Sequence, residues 1–304
     1  MTASTADNGF GFQWHITNRC AGNCAHCYQS DFDGTDELEP DALKNIADKI
    51  MPAVPGPVTV NITGGEPLLY RYDGTHHGVF DLMAYLGGFN NIGELNIITG
   101  TMGMSDKTVS DLKALPKLDY VKVSLESHDR QINDGIRRAG HYGMTLANIQ
   151  SLVDAGLRVV IMTTLSRQNY RSVAGLCDLA ESLGTHGVIF ERFVPLGRGA
   201  AEMGGSVLSA KEWPEVLGAI AGIAGVTAGE LLPYKAFWVN GGAVSGAPCC
   251  LGSGSMALMP DGTVYPCRRV PVPVAKLPDD RMEHILGVLG GYSATPQRCF
   301  GFGF

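Results

Sequence analysis

At 304 residues the chain is long enough to bury a large core, and its composition is that of a folded protein, with 45% hydrophobic and 17% charged residues. The formal net charge is −7. Affinity for nucleic acid depends on clustered Lys and Arg that neutralise phosphates, and no such cluster is present. The charge balance therefore argues against nucleic acid as the main partner.

Targeting and membrane signals are weak in this sequence. The opening MTASTADNGFGFQW lacks a basic segment followed by an apolar run, so we predict no secretory signal and a cytoplasmic protein. The longest apolar stretch, 216–228, is too short and too rich in glycine to span a bilayer, so we expect no membrane partner. In a reducing compartment, the eight cysteines favour metal or cofactor ligation over disulfides.

Apolar runs with strand character alternate with segments of helical period, and the alternation repeats six times. We predict β-strands at 12–17, 58–63, 94–99, 120–126, 158–165 and 187–194. Helices with a single apolar stripe lie between them, the first marked by Leu43, Ile46, Ala47 and Ile50. Strict alternation predicts an α/β fold with parallel strands, which a doubly wound sheet and a barrel satisfy equally well.

The alternation ends after about residue 208. A helix is predicted over 209–224, followed by a turn-rich stretch at 239–248. In SMALMPDGTVYPC (255–267), Asp261-Gly262 is a turn signal between two apolar runs and predicts a β-hairpin. We therefore divide the chain near residue 235 into two regions, 1–235 and 236–304.

Three thiols lie within eight residues directly after the first predicted strand, in the spacing Cys20-x3-Cys24-x2-Cys27. Thiolates converging from one loop indicate zinc or an iron–sulfur cluster. A structural zinc needs a fourth ligand, and His26 and His15 are the near candidates; His26 lies between two of the thiols, which makes it a poor one. An iron–sulfur cube on three cysteines would instead keep one iron open to a small molecule, as catalytic metal sites keep an open position.

Other polar residues fall at the predicted strand ends, where parallel α/β folds place their functional groups. Thr63-Gly-Gly-Glu-Pro67 follows the second strand, and Ser124 and Glu126 end the fourth. Glu191 and Arg192 lie near the end of the sixth. The carboxyl edge of the predicted sheet is therefore where we expect the site.

The three-cysteine spacing followed by Tyr28 resembles the signature of the radical S-adenosylmethionine (radical SAM) enzymes, and TGGEP resembles their second motif. The resemblance covers roughly residues 10 to 200. It implies a partial (β/α)6 TIM-type barrel with a small C-terminal cysteine-rich extension of β-hairpin and helix. It also implies a [4Fe–4S] cluster on the three cysteines, whose open iron is chelated by SAM. The protein would orient the 5′-deoxyadenosyl radical formed from SAM toward a substrate hydrogen.

The same resemblance implies where SAM is held. Gly64 and Gly65 would let the backbone approach the methionine end, and Glu66 or a backbone carbonyl there would accept from its ammonium group. Ser124 and Glu126 correspond to the segment that contacts the ribose.

The residues that resemble the family's contacts to the SAM carboxylate and the adenine are matched less specifically. Arg137 resembles an arginine that lies near the SAM carboxylate. Arg138 is the other candidate for this position, and the alternative is that both arginines are solvated at the surface. The backbone at His26 and the segment 193–197 resemble the places where the adenine is held.

A second group of cysteines lies near the end of the sequence. Eleven residues separate Cys250 from Gly262 and four more separate Gly262 from Cys267, which resembles the opening of the SPASM and Twitch extensions that bind auxiliary iron–sulfur clusters. Cys299 would be a third ligand and Cys249 a fourth or a free thiol. Phe302 stands where the next SPASM cysteine would fall, so at most one auxiliary cluster is expected, with a sequence cut short of further cysteines as the alternative explanation. Unrelated buried thiols are the alternative.

Relatives with such extensions often modify ribosomally made peptides, and the segments QWHITNRC, HCYQ and ERFVPLGRG resemble that peptide-maturase branch. The predicted function is therefore a radical SAM oxidoreductase that crosslinks, oxidises or epimerises a peptide. A flavodoxin- or ferredoxin-type protein would donate the electrons. Alternatives are a sulfatase-type maturase, a small-molecule dehydrogenase or a tetrapyrrole-modifying enzyme. A non-catalytic iron–sulfur or zinc protein is the alternative of another class.

Overall fold

The six predicted strands form one parallel sheet in the order of the chain. The computed structural model describes residues 9–292 except 72, 75 and 253. Its first strands are β1 (Phe10–His15), β2 (Val58–Thr63), β3 (Ile92–Thr99), β4 (Leu118–Ser124), β5 (Val159–Leu165) and β6 (Val188–Arg192). Each strand pairs in parallel with the next. A doubly wound sheet reverses its strand order at a switch point, so this unbroken progression is that of a barrel.

Helices connect the strands and cover the outside of the sheet. The first six are α1 (Pro40–Ile50), α2 (Gly78–Leu86), α3 (Asp106–Ala114), α4 (Arg130–Ile136), α5 (His141–Asp154) and α6 (Val173–Ser182). After β6 come α7 (Gly197–Met203), α8 (Trp213–Ala224) and α9 (Ala228–Leu231). The predicted apolar stripe of α1 is fully buried against the strands, as expected for a helix with one apolar face.

The remaining strands extend both edges of the sheet. They are β7 (Ala236–Asn240), β8 (Ala243–Ala247), β9 (Ser255–Leu258), β10 (Thr263–Tyr265) and β11 (Ala275–Lys276), followed by α10 (Met282–Tyr292). Strand β9 pairs in parallel with β1, whereas β7 pairs antiparallel with β6. The order runs from β11 at one edge to β8 at the other, so the sheet is not closed and forms a partial barrel.

The C-terminal hairpin is confirmed, since β9 and β10 pair antiparallel around the Asp261-Gly262 turn. The turn-rich stretch at 239–248 is instead a second hairpin, because β7 and β8 pair across a turn at Gly241 and Gly242. Strands from both sides of residue 235 belong to one sheet, so the division at that position stays a prediction. No helix in the described part of the chain is long and apolar enough to cross a membrane.

Candidate active site

A cleft opens at the carboxyl ends of the parallel strands and encloses about 1120 Å³, its open mouth included. Its lining collects residues that are far apart in the sequence, namely Cys20, Cys24, Cys27, His26, Gly64, Gly65, Ser124 and Arg137. These are eight of the ten residues that the sequence analysis assigned to the first cluster and to SAM. The other two, Glu66 and Glu126, are buried behind the lining.

The three-cysteine loop turns sharply between Cys20 and Cys24. Asn23 has a positive φ of 48°, and the Gly22 N–H donates to Cys20 Sγ at 3.3 Å. A Cβ on Gly22 would lie 3.2 Å from Cys24 Sγ and 3.3 Å from Cys20 Sγ, so these two thiols flank the glycine. Burial raises the pKa of Cys20 to about 12 and also raises that of Cys27. The Cys20 and Cys27 thiols are therefore neutral and ionise when a cationic metal binds them.

The donor set suits an iron–sulfur cluster, because thiolates are the ligands that such clusters use. Across residues 9–292 as described, no three His, Cys, Asp or Glu side chains are gathered as ligands of one metal ion. The ligation of a cluster by Cys20, Cys24 and Cys27 therefore stays a proposal, taken up below.

Gly64 and Gly65 fix the cysteine loop against the end of β2. Gly64 has a φ of +152°, and a Cβ on it would collide with the backbone of Thr17. A Cβ on Gly65 would lie 2.5 Å from the carbonyl oxygen of Arg19 and 2.6 Å from that of Asn18. From the sequence, these glycines were expected to let SAM approach the backbone. In the structure they also allow a close approach of two protein segments, which any side chain would prevent.

Glu66 is fully buried and hydrogen-bonds to the end of the neighbouring strand, β3. Its carboxylate accepts from Thr99 Oγ1 at 2.6 Å, from Gly100 N at 2.9 Å and from Leu68 N at 3.3 Å. Burial raises its pKa to about 7, an effect that these hydrogen bonds partly offset. Of the two acceptors predicted here for the SAM ammonium, the carboxylate is thus engaged within the protein, and the backbone of Gly64 and Gly65 lines the cleft.

Glu126 was predicted to contact the ribose of SAM, but like Glu66 it is engaged within the protein. It lies two residues beyond β4 and is completely buried. Its carboxylate accepts hydrogen bonds from Arg137 Nε at 2.9 Å and from Thr164 N at 2.8 Å. His26 Nε2 lies 3.3 Å from the same carboxylate. Burial acts to raise the pKa of Glu126, but Arg137 and His26 outweigh it and lower the pKa to about 2. Ser124 is therefore the one of the predicted pair that lines the cleft.

Arg137, and not its rival Arg138, reaches the cysteine loop. The Nη1 of Arg137 lies 3.5 Å from Cys24 Sγ, and the side chain is 11% exposed. Arg138 is at the surface, where its Nη1 donates to the carbonyl of Ala21 at 3.3 Å. The loop is held to this side of the barrel by a backbone hydrogen bond from Ala25 to Ile136 as well.

A pair of arginines on the opposite wall was missed in the sequence analysis. Arg268 and Arg269 follow β10, cross the open side of the partial barrel, and both contact Glu191 in β6. Burial acts to raise the pKa of Glu191, but these two arginines and Lys235 outweigh it and lower the pKa to about 2. A signal did exist: between residues 236 and 275 the only charged residues are Asp261 and these two adjacent arginines.

The second group of cysteines is only partly described. Cys249 is exposed, and Cys250 and Cys267 are half-buried. Cys250 is tied to the start of β9, because its carbonyl accepts from Ser255 Oγ at 2.8 Å. Cys299 lies outside the described residues, so the structure does not test the predicted auxiliary ligand set.

Comparison with known proteins decides the family. The model of the radical SAM superfamily matches residues 14–180, which is more than half of the chain. The chain belongs to the radical SAM superfamily. Its members are enzymes, and membership implies a [4Fe–4S] cluster and SAM as cofactors. The matched region contains the end of β1, the whole cysteine loop and β2 to β5.

Relatives of this radical SAM chain include proteins named as heme synthases and proteins named as maturases. The AdoMet-dependent heme synthase of Oleidesulfovibrio alaskensis is 28% identical over 67% of the chain and 50% of its own length. The mycofactocin maturase MftC of Mycobacterium tuberculosis is 28% identical over 61% of the chain and 45% of its own length. The chain thus spans about half the length of the curated relatives it matches.

A solved structure shares the fold over nearly the whole chain. The structure of anSMEcpe with bound AdoMet and the Kp18Cys peptide aligns with a TM-score of 0.70, covering 93% of this chain and 82% of that one. The sequence identity is 16%, so this likeness concerns the fold. It agrees with the partial barrel described above.

Proposed function

We propose that this chain binds a [4Fe–4S] cluster through Cys20, Cys24 and Cys27, cleaves SAM reductively, and directs the resulting radical at a peptide. The observation that carries the proposal is the convergence of the three thiols in one cleft at the carboxyl ends of parallel strands. When bound, the cluster supplies the electron that splits the sulfonium of SAM.

The residues around the thiols have separate tasks in this proposal. Arg137 directs positive charge at the cysteine loop from a position fixed by Glu126. Ser124 would hydrogen-bond a ribose hydroxyl, and the backbone carbonyls of Gly64 and Gly65 would accept from the SAM ammonium. His26 has a buried Nδ1 with no hydrogen-bond partner in the described part of the chain, which is consistent with a contact to a bound molecule.

Peptide modification is favoured by the resemblance to peptide maturases in the segments around the cysteine loop and β6. A peptide-modifying relative, MftC, and a structural neighbour that holds a peptide support the same choice. A tetrapyrrole is the second candidate, because a heme synthase is equally similar in sequence. Incubation of the reduced enzyme and SAM with each substrate class separates the two, since a peptide changes mass and a tetrapyrrole changes its absorption spectrum.

The auxiliary cluster and the electron donor are further parts of the proposal. Cys250, Cys267 and Cys299 would hold one auxiliary cluster, with Cys249 as fourth ligand or free thiol, and a flavodoxin or ferredoxin would deliver electrons. Two [4Fe–4S] clusters correspond to about eight iron atoms per chain. Iron and sulfide analysis that yields only about four atoms after reconstitution overturns the auxiliary cluster and leaves the first cluster untouched.

The central test is SAM cleavage by the anaerobically reconstituted, dithionite-reduced protein. We expect 5′-deoxyadenosine by liquid chromatography, and we expect Cys24→Ala to abolish it because an iron loses its ligand. Cys177→Ala is the matched control, since this half-buried cysteine of α6 packs against the hydrophobic core as a small hydrophobe. Stoichiometric zinc without any cleavage, or cleavage that survives Cys24→Ala, rejects the proposal.

A further inference from the structure

Arg269 has a buried nitrogen without an acceptor. The residue is 7% exposed, and its Nη2 lies 3.2 Å from Glu191 Oε2. Its Nη1 is buried and makes no hydrogen bond within the described part of the chain. A charged donor withdrawn from water without a partner is strongly unfavourable, so buried donors of this kind normally have an acceptor.

The charges on this wall do not balance. Glu191 contributes one negative charge, and Arg268 and Arg269 contribute two positive charges in contact with it. An uncompensated buried charge is destabilising, and an anion in the cleft would compensate it.

The excess charge lies where a second cavity joins the first. Arg268 lines both cavities, and the second is also lined by Tyr28, Met259 and Tyr265. Gly64, Gly65, Ser124 and Arg137, proposed for the methionine end and the ribose of SAM, line only the first cavity, whereas Leu196 and Gly197 of the predicted adenine segment line the second. Arg268 therefore faces space beyond the residues proposed for the methionine end and the ribose.

We propose that Arg268 and Arg269 form a carboxylate-binding subsite for the substrate, in which Arg269 Nη1 donates to an oxygen of the carboxylate. The arginine fork matches a carboxylate geometrically, and a charge-assisted hydrogen bond there would satisfy the orphan donor. This inference rests on the proposed function and narrows its substrate class to molecules with a carboxylate near the carbon that is attacked. A peptide terminus, an acidic side chain and a tetrapyrrole propionate share this chemistry.

The test is isothermal titration of the reconstituted, SAM-loaded protein with probes that differ in one group. The peptides Ac-Gly-Ala-Glu-NH2 and Ac-Gly-Ala-Gly-OH carry a side-chain and a terminal carboxylate, Ac-Gly-Ala-Gln-NH2 carries none, and coproporphyrin III carries propionates. We expect at least one carboxylate probe to bind about tenfold or more tightly than the neutral peptide. Which probe binds best identifies the source of the carboxylate.

Variants tie this binding to the arginine wall. Arg269→Gln should weaken the best carboxylate probe about tenfold or more, because a charged hydrogen bond is lost. Arg269→Lys should retain part of the affinity, since it keeps the charge without the fork. Arg281→Gln is the matched control, because this arginine is 87% exposed and should leave binding unchanged.

The proposal is overturned if the neutral peptide binds as tightly as every carboxylate probe, or if Arg269→Gln binds the best probe as wild type does. It is also overturned if Arg269→Gln weakens SAM while leaving probe binding intact, since the guanidinium would then serve the cofactor. If Arg269→Gln does not fold, Arg269→Lys and the comparison of probes on wild type still decide. SAM cleavage by wild type is measured on the same preparation, so its failure rejects the proposed function separately.

Discussion

The two walls of the cleft each contain a buried carboxylate that binds arginine, and they differ in charge balance. On the cysteine side, Glu126 is fully buried and is matched by a single arginine, Arg137, with His26 beside it. On the far side, Glu191 is 17% exposed and contacts both Arg268 and Arg269. The Glu126–Arg137 pair balances in charge, and the unpartnered atom beside it among the described residues is a ring nitrogen, His26 Nδ1. The second group instead has one positive charge in excess and an unpartnered guanidinium nitrogen, Arg269 Nη1.

This difference separates scaffold from binding surface. A matched ion pair with all its hydrogen bonds made positions neighbouring groups and needs nothing from outside. A guanidinium in a cleft without a counter-charge is destabilising unless a bound molecule supplies the negative charge. Substitutions on each wall in turn test this difference.

The largest effect is expected on the cysteine side. Glu126→Gln leaves Arg137 buried without its counter-charge, so we expect the free energy of unfolding to fall by about 3–5 kcal/mol. Urea denaturation measures the loss. Glu181→Gln, at an exposed position in α6, is the control and should change stability little. A loss as small as that of the control would contradict the scaffold role of Glu126.

A smaller and reversible effect is expected on the far side. Glu191→Gln should destabilise the protein by about 3 kcal/mol, which is the low end for breaking a buried ion pair. The effect is smaller here because water and ions reach this wall through the cleft. Glutarate should restore part of the loss, since a dicarboxylate replaces the missing negative charge, whereas it should not rescue Glu126→Gln. Urea curves with and without glutarate measure both. Equal rescue of the two variants, or of neither, would remove the distinction between the walls.

The smallest effect is expected from the backbone packing that holds the cysteine loop. Gly65→Ala places a methyl group against the carbonyls of Asn18 and Arg19, so we expect a loss of about 1–3 kcal/mol and less iron bound after reconstitution. Gly143→Ala in α5 has open space around the new methyl group and should be neutral or slightly stabilising. Denaturation and iron analysis compare them. Gly65→Ala with wild-type stability and iron content would show that the loop tolerates the side chain.

Local patterns accounted for much of the barrel and for the cysteine loop. The periodic apolar residues predicted all six parallel strands, and β2 was predicted with its exact bounds, Val58–Thr63. The hairpin β7–β8 was missed, because its glycine and alanine residues lack the apolar alternation that marks a strand. Glu66 and Glu126 were placed at the right strand ends, but their inward orientation depends on donors from other strands.

Short segments of the sequence were sufficient to predict the family, the positions of the six parallel strands and the three-cysteine loop, because the spacing of their residues carries the information. Which charges meet depends on the tertiary structure. Glu191 and Arg269 are 78 residues apart and become neighbours because the C-terminal strands extend the sheet from both edges. Burial and charge balance depend on such long-range contacts, so the unmatched arginine emerges only when the barrel is assembled.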